Sequence, residues 1–295
     1  MLVQVLTQVA FVVALALVLS LAVFVGRERL ASLRTEWRPR LRQSAPAFAL
    51  LAAILGLNRI MRQDGYEISQ AYGVHMTEVF YSLEGDFVLL FRSIATPEVT
   101  TFFSVAYVYV YAFVLIFPIV AYVTLSNTVV LRQLLTAYSL NYVIGLAFYL
   151  LVIAYGPRNV MIEGMDATHL YYANPEYIHL TTEVNQNRNV FPSLHTSLSA
   201  TVAIFAYMTR DQYRAWFPVA VGLATSVIIS TMYLGIHWAI DVVAGLVLAA
   251  VCVVLAKHLV GRWSLSTAVE RVRAAGRGET ASGPEPDREQ GEDGV

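Results

Sequence analysis

The sequence predicts an all-α polytopic membrane protein, a bundle of about seven transmembrane helices. Composition is the first reason: 57% of the 295 residues are hydrophobic, only 14% are charged, and mean hydropathy is +0.57. That balance lies outside the range of ordinary globular domains. Apolar runs of spanning length, broken by short polar connections, are the second. The third is the segregation of basic residues into alternate connections. The net charge of −1 points to no class of partner, and nothing in the chain points to nucleic acid. The single Cys252 sits inside an apolar run, which excludes a disulfide framework and a thiolate metal cluster.

Val3 to Val25 is long enough to cross a bilayer and lacks the basic start and small-residue cleavage site of a signal peptide. Arg27, Arg29, Arg34, Arg38, Arg40 and Arg42 follow, and read as a dense cytoplasmic loop. The run Ala45 to Leu57 is short for a span and reads equally as a buried or re-entrant helix. Asn58 to Pro97 is a mixed outer segment, of which Phe87 to Ile94 suits the membrane interface. Further spans are expected at Thr101–Leu125, Leu134–Tyr155, Pro192–Met208, Trp216–Tyr233 and Trp238–Ala256. From Lys257 the chain is basic, then rich in Gly, Pro, Glu and Asp, the composition of a disordered end. Fifteen of the 20 basic residues fall in connections assigned inside, which places the N-terminus outside and the C-terminus in the cytoplasm. The chain then divides into anchor helices with an outer loop (1–98), a second membrane domain (99–260) and a cytoplasmic tail (261–295).

The chemistry gathers in Ser230–Gly245, which sets His237 and Asp241 four residues apart in an apolar run. On a helix these positions share a face, so the carboxylate reaches the imidazole. An acid inside an apolar span costs several kcal/mol unless partnered, which asks for an explanation. The same topology brings Arg158, the segment Phe191-Pro-Ser-Leu-His195 and His237 to one outer face. Pro192 suits a first helical turn, leaving the N–H groups of Ser193, Leu194 and His195 as a seat for phosphate. Arg158 adds a planar fork of donors. His237, held by Asp241, keeps one ring nitrogen free to attack phosphorus, and His195 can protonate the departing oxygen. Together these parts describe phosphoryl transfer through a phosphohistidine, with no metal or cofactor required.

Pro192-Ser193-Leu194-His195, with Ser230-Thr231 followed by His237 and Asp241, resembles the second and third signatures of the type 2 phosphatidic acid phosphatase (PAP2) superfamily. Those read Pro-Ser-Gly-His, and Ser-Arg, five residues, His, three residues, Asp. The first signature is largely absent: its lysine position is Leu151, and Arg158 alone survives. Leu194 for Gly, Thr231 for Arg and the run Tyr233-Leu234-x-x-His237 look more like the inositol phosphorylceramide synthase branch. The resemblance covers roughly the last two-thirds of the membrane region. It implies His237 as nucleophile, Asp241 as its orienting partner and His195 as the acid. It also implies Ser193, the Leu194 backbone, Arg158 and Arg188 around the phosphate, with Arg188 replacing the guanidinium missing at Thr231. The implied partners are a lipid phosphate in the membrane and a hydroxyl compound as acceptor.

Other readings carry less. His75, His169 and His179 have no partner at a useful spacing, and Glu163, Asp166 and Glu183 read as solvated loop acids. The alternation Tyr107, Tyr109, Tyr111 reads as aromatic anchoring and packing. A seven-helix receptor or retinal protein would want a mid-membrane lysine, and Lys257 is at a helix end. A transporter would show repeat symmetry or paired broken helices, and a membrane metalloprotease would show His-Glu-x-x-His.

Overall fold

A computed structural model of the chain describes residues 2–161 and 189–260. Residues 162–188 and 261–295, the latter most of the tail expected to be disordered, lie outside the described residues. The described part is almost wholly helical, an α-helical bundle with six helices long and apolar enough to cross a membrane.

Helix α1 (Leu2–Ser20) runs on as a π-helical turn, Leu21–Val25, and breaks at Gly26. Gly26 has φ 81°, a left-handed conformation open to glycine. The basic stretch that follows is not a loop. It forms the first half of a continuous helix, α2 (Arg27–Asp64, 38 residues), with Pro39 and Pro46 inside it. The run Ala45–Leu57 is therefore part of a long rod rather than a separate short element. Tertiary contacts hold the polar half in place. Arg40 is 4% exposed and donates to the carbonyls of Val123 (3.2 Å) and Thr124 (2.8 Å), with Glu36 as its ion partner one turn away. Those carbonyls end another helix and have no partner within it. Arg29 likewise donates to the Gln212 carbonyl and lies 4.7 Å above the Tyr213 ring.

The segment beyond α2 comprises α3 (Tyr66–Tyr72), β1 (Val74–His75), α4 (Thr77–Glu84) and a 3-10 stretch, Phe87–Ile94. Phe87, Leu90 and Ile94 are exposed. Helices α5 (Pro97–Val105) and α6 (Tyr111–Val123), joined by a π-helical turn at Ala106–Val110, make one 27-residue rod. It starts at Pro97 because the Thr96 hydroxyl accepts the Val99 N–H at 3.3 Å. Helix α7 (Val129–Leu151) ends before the expected Tyr155 because β2 (Val152–Ile153) pairs in parallel with β1. A short α8 (Pro157–Val160) follows, then α9 (Leu194–Met208), α10 (Trp216–Tyr233) and α11 (Ala239–Leu259).

The connections collect at two ends. Arg29, Arg40, the turn after α6 and the turn after α9 meet at one, where Thr124 bonds Tyr213 and Tyr122 bonds Thr209. The segments after α2, α7 and α10 meet at the other, through the β1–β2 pair and the Arg158 N–H donated to Gly235. At 15 residues α9 is about 22 Å long, short of the ~30 Å hydrocarbon layer. It is the most enclosed helix, with ten residues buried, and packs against α7, α10 and α11. Asn141 of α7 accepts from Ser197 and donates to Thr201, polar pairing between helices that only contact in an apolar surrounding sustains.

Two glycines set the spacing around α9. A Cβ on Gly245 would stand 2.6 Å from the Ser193 carbonyl oxygen, and one on Gly145 would stand 2.6 Å from a Leu194 methyl. Gly222 meets nothing. Gly245→Val should therefore lower the thermal midpoint in detergent by the equivalent of about 1–3 kcal/mol, the usual cost of overpacking. Gly222→Ala should be neutral or stabilising, by up to about 1 kcal/mol from helix propensity.

Candidate active site

His237 is delivered by a pinned turn rather than by a helix. After α10, Gly235 adopts φ 65°, and the Thr231 carbonyl accepts the N–H groups of both Ile236 (3.0 Å) and His237 (3.1 Å). From the other side, the Gly235 carbonyl accepts the Arg158 N–H at 2.9 Å. Gly156 lies so close that a Cβ there would be 2.1 Å from the Ile236 oxygen. Thr231, where the resemblance would want arginine, is buried and donates its hydroxyl to Ile228.

The His237–Asp241 pairing forms, but across the start of α11 instead of along it. Trp238 is the N-cap and Asp241 stands in the first turn. Its Oδ2 reaches back to the Trp238 N–H (2.9 Å) and to Nδ1 of His237 (3.3 Å). Negative charge is favoured at a helix N-terminus, so the acid is less isolated than its apolar sequence suggests. His237 is 3% exposed and Asp241 is fully buried. A proton on Nδ1 would bond the carboxylate and leave the lone pair of Nε2 free.

Pro192 lies ahead of α9 and Ser193 is its N-cap, two places later than a proline-first helix predicts. The Ser193 hydroxyl accepts the Thr196 N–H at 3.3 Å. Its own N–H does not await a phosphate, as the sequence suggested, but is donated to the Asp241 carbonyl at 3.1 Å. This bond ties the second motif to the third. The Leu194 side chain packs with Leu248 and Cys252 against Gly145, so it contributes shape there. The Leu194 N–H belongs to the first turn and has no acceptor within the helix.

His195, half-buried, lies between two aromatic rings: Tyr107 stacks on it at 4.4 Å and 19°, and Tyr111 sits at 4.2 Å and 35°. The π-helical turn at Ala106–Val110 brings both tyrosines to this one ring. Tyr107 also belongs to the cluster containing Tyr233, Leu234 and Ile236, the residues leading into His237. The alternation of these tyrosines in sequence predicts packing alone; the i, i+4 spacing of Tyr107 and Tyr111 is the signal for a shared ring partner.

His237, Asp241, Ser193, His195 and the Arg158 backbone thus gather at the same end of the bundle. Arg158 is half-buried in α8. Arg188 lies outside the described residues, as do Glu163, Asp166, His169, His179 and Glu183. His75 is exposed in β1.

A family model described as the PAP2 superfamily matches residues 82–255, more than half of the chain. The chain belongs to the PAP2 superfamily. No curated protein and no solved structure matches it significantly. Membership makes it an integral membrane enzyme of the lipid phosphatase type. The matched region runs from α4 into α11 and contains every histidine, acid and serine gathered above. In this PAP2 protein the tyrosine pair holds the His195 ring plane. Tyr111→Leu should slow phosphate release from a lipid phosphate by about tenfold, the scale of a small misplacement. Tyr111→Phe, which keeps the ring, should stay within about twofold of the parent.

Proposed function

We propose that the chain carries a lipid's phosphoryl or phosphodiester-linked head group on Nε2 of His237 and passes it to water or to a bound hydroxyl compound. The Asp241 carboxylate bonded to His237, with the Asp241 carbonyl bonded to Ser193, supports this most directly. It aligns the imidazole while joining it to the helix that starts at the second motif.

In the first step Nε2 attacks phosphorus and the bond to the leaving oxygen breaks. His195 donates the proton that this oxygen needs. In the second step His195 takes a proton from water or an alcohol, whose oxygen attacks phosphorus and releases His237. Arg158, the Ser193 hydroxyl, the Leu194 N–H and Arg188 form the phosphate seat, as the motif resemblance implies. Phe191-Pro-Ser-Leu-His195 and Tyr233-Leu-x-x-His237 favour the inositol phosphorylceramide synthase-like branch, hence transfer of a phosphoinositol-type head group. The excess of arginines at the Arg40 end favours a cytoplasmic position for that end, which puts the chemistry at the extracytoplasmic face.

Purified protein incubated with a phospholipid labelled in its head-group phosphate, with and without polyols, separates the outcomes. Labelled free phosphate means hydrolysis, and a labelled alcohol means transfer. His237→Ala should abolish both, and His195→Ala should slow them by about 10²–10⁴-fold. Thr231→Ala should change the rate by less than about twofold, since its backbone carbonyl carries its role. Full activity in the His237 variant would end the phosphohistidine reading.

A further inference from the structure

Glu84 lies 155 residues before the helix that follows His237, yet its carboxylate closes that helix's first turn. Oε2 accepts the Ala239 N–H at 2.8 Å and Oε1 accepts the Ile240 N–H. The Trp238 N–H goes to Asp241 Oδ2, so three consecutive amides at the start of α11 are held by two carboxylates. Glu84 is aimed by its own element. It is the last residue of α4, where Gly85 (φ 53°) turns the chain away. Phe80 and Val88 are buried in one cluster with Trp238, and Tyr81 lies 6.1 Å from the Trp238 ring.

We propose that Glu84 is a positioning residue for His237, acting through the first turn of α11. The inference rests on the phosphohistidine reading for its catalytic consequence. Asp241 orients the imidazole only as well as its own backbone is held, and Glu84 grips the two residues immediately before it. A bidentate carboxylate suits two adjacent N–H donors at a positive helix end. Glutamine, nearly the same shape, accepts with one oxygen and turns an amino group toward the other donor. Alanine leaves both amides open, at a site shaped for a small carboxylate.

The test uses the purified full chain with Glu84→Ala, Glu84→Gln and, as a control on the same helix, Ser82→Ala. Glu84→Ala should lower kcat by about 10–100-fold with KM within about threefold, because orientation and not lipid binding is lost. Millimolar acetate, but not chloride at equal ionic strength, should restore much of that rate. Glu84→Gln should fall between, without rescue, and Ser82→Ala should match the parent. Hydrogen exchange over residues 236–242 supplies a readout independent of turnover. It should quicken about tenfold in Glu84→Ala and slow again with acetate. Wild-type kcat in Glu84→Ala, or a loss that tracks a falling thermal midpoint with no acetate rescue, overturns the proposal. Should Glu84→Ala fail to fold, parent-like kcat in Glu84→Gln overturns it. A parent protein that turns over no lipid phosphate overturns the functional reading instead, and unchanged exchange in the variants would still count against the clamp.

Discussion

A carboxylate shut away from water at the mouth of an apolar helix is costly without partners inside the protein, and the architecture around Asp241 supplies them to Oδ2, while Oδ1 is buried with none. Its side chain turns back to the Trp238 N–H and the His237 ring, while its backbone carbonyl takes the Ser193 N–H. One residue thereby joins the turn that carries the first imidazole to the helix that carries the second. Without these bonds the burial would cost several kcal/mol, so the acid and its partners form together or not at all.

Close backbone approach makes those bonds possible. Gly245 lets α11 lie against the Ser193 carbonyl, Gly145 opens α7 to Leu194, and Gly156, the N-cap of α8, lets its backbone touch the turn before His237. In a lipid surrounding, where apolar burial between helices gives little drive, such small-residue contacts and the Asn141–Thr201 pairing hold the bundle. Helix α9, too short to span by itself, is stable because it is enclosed on several sides. Its N-terminus is tied to the start of α11 by the Ser193 N–H. Tyr107 of the π-helical turn and Tyr111, the first residue of α6, then hold the ring of His195.

The spans and the four-residue step from His237 to Asp241 were legible because apolar length and local spacing depend on neighbours in sequence. The first half of α2 was not. Its six arginines read as a loop, and only the carbonyls of Val123 and Thr124, some eighty residues away, make Arg40 a buried helical residue. The same limit hid the fate of the Ser193 N–H, whose acceptor stands on another helix. Tyr107 and Tyr111 did carry a local signal, but their alternation with Tyr109 drew attention to period two. Glu84, one acid among many in a mixed segment, becomes significant only when α11 is seen to start beside it.

The central claim is that one small anion pocket lies between the two imidazoles. Determining the structure of the protein with orthovanadate, which adopts the five-coordinate shape of phosphorus in transfer, tests it directly. The account requires vanadium in bonding contact with Nε2 of His237, with the His195 ring facing an opposite oxygen. Vanadate seated elsewhere, or the two rings separated by packed side chains, would contradict it.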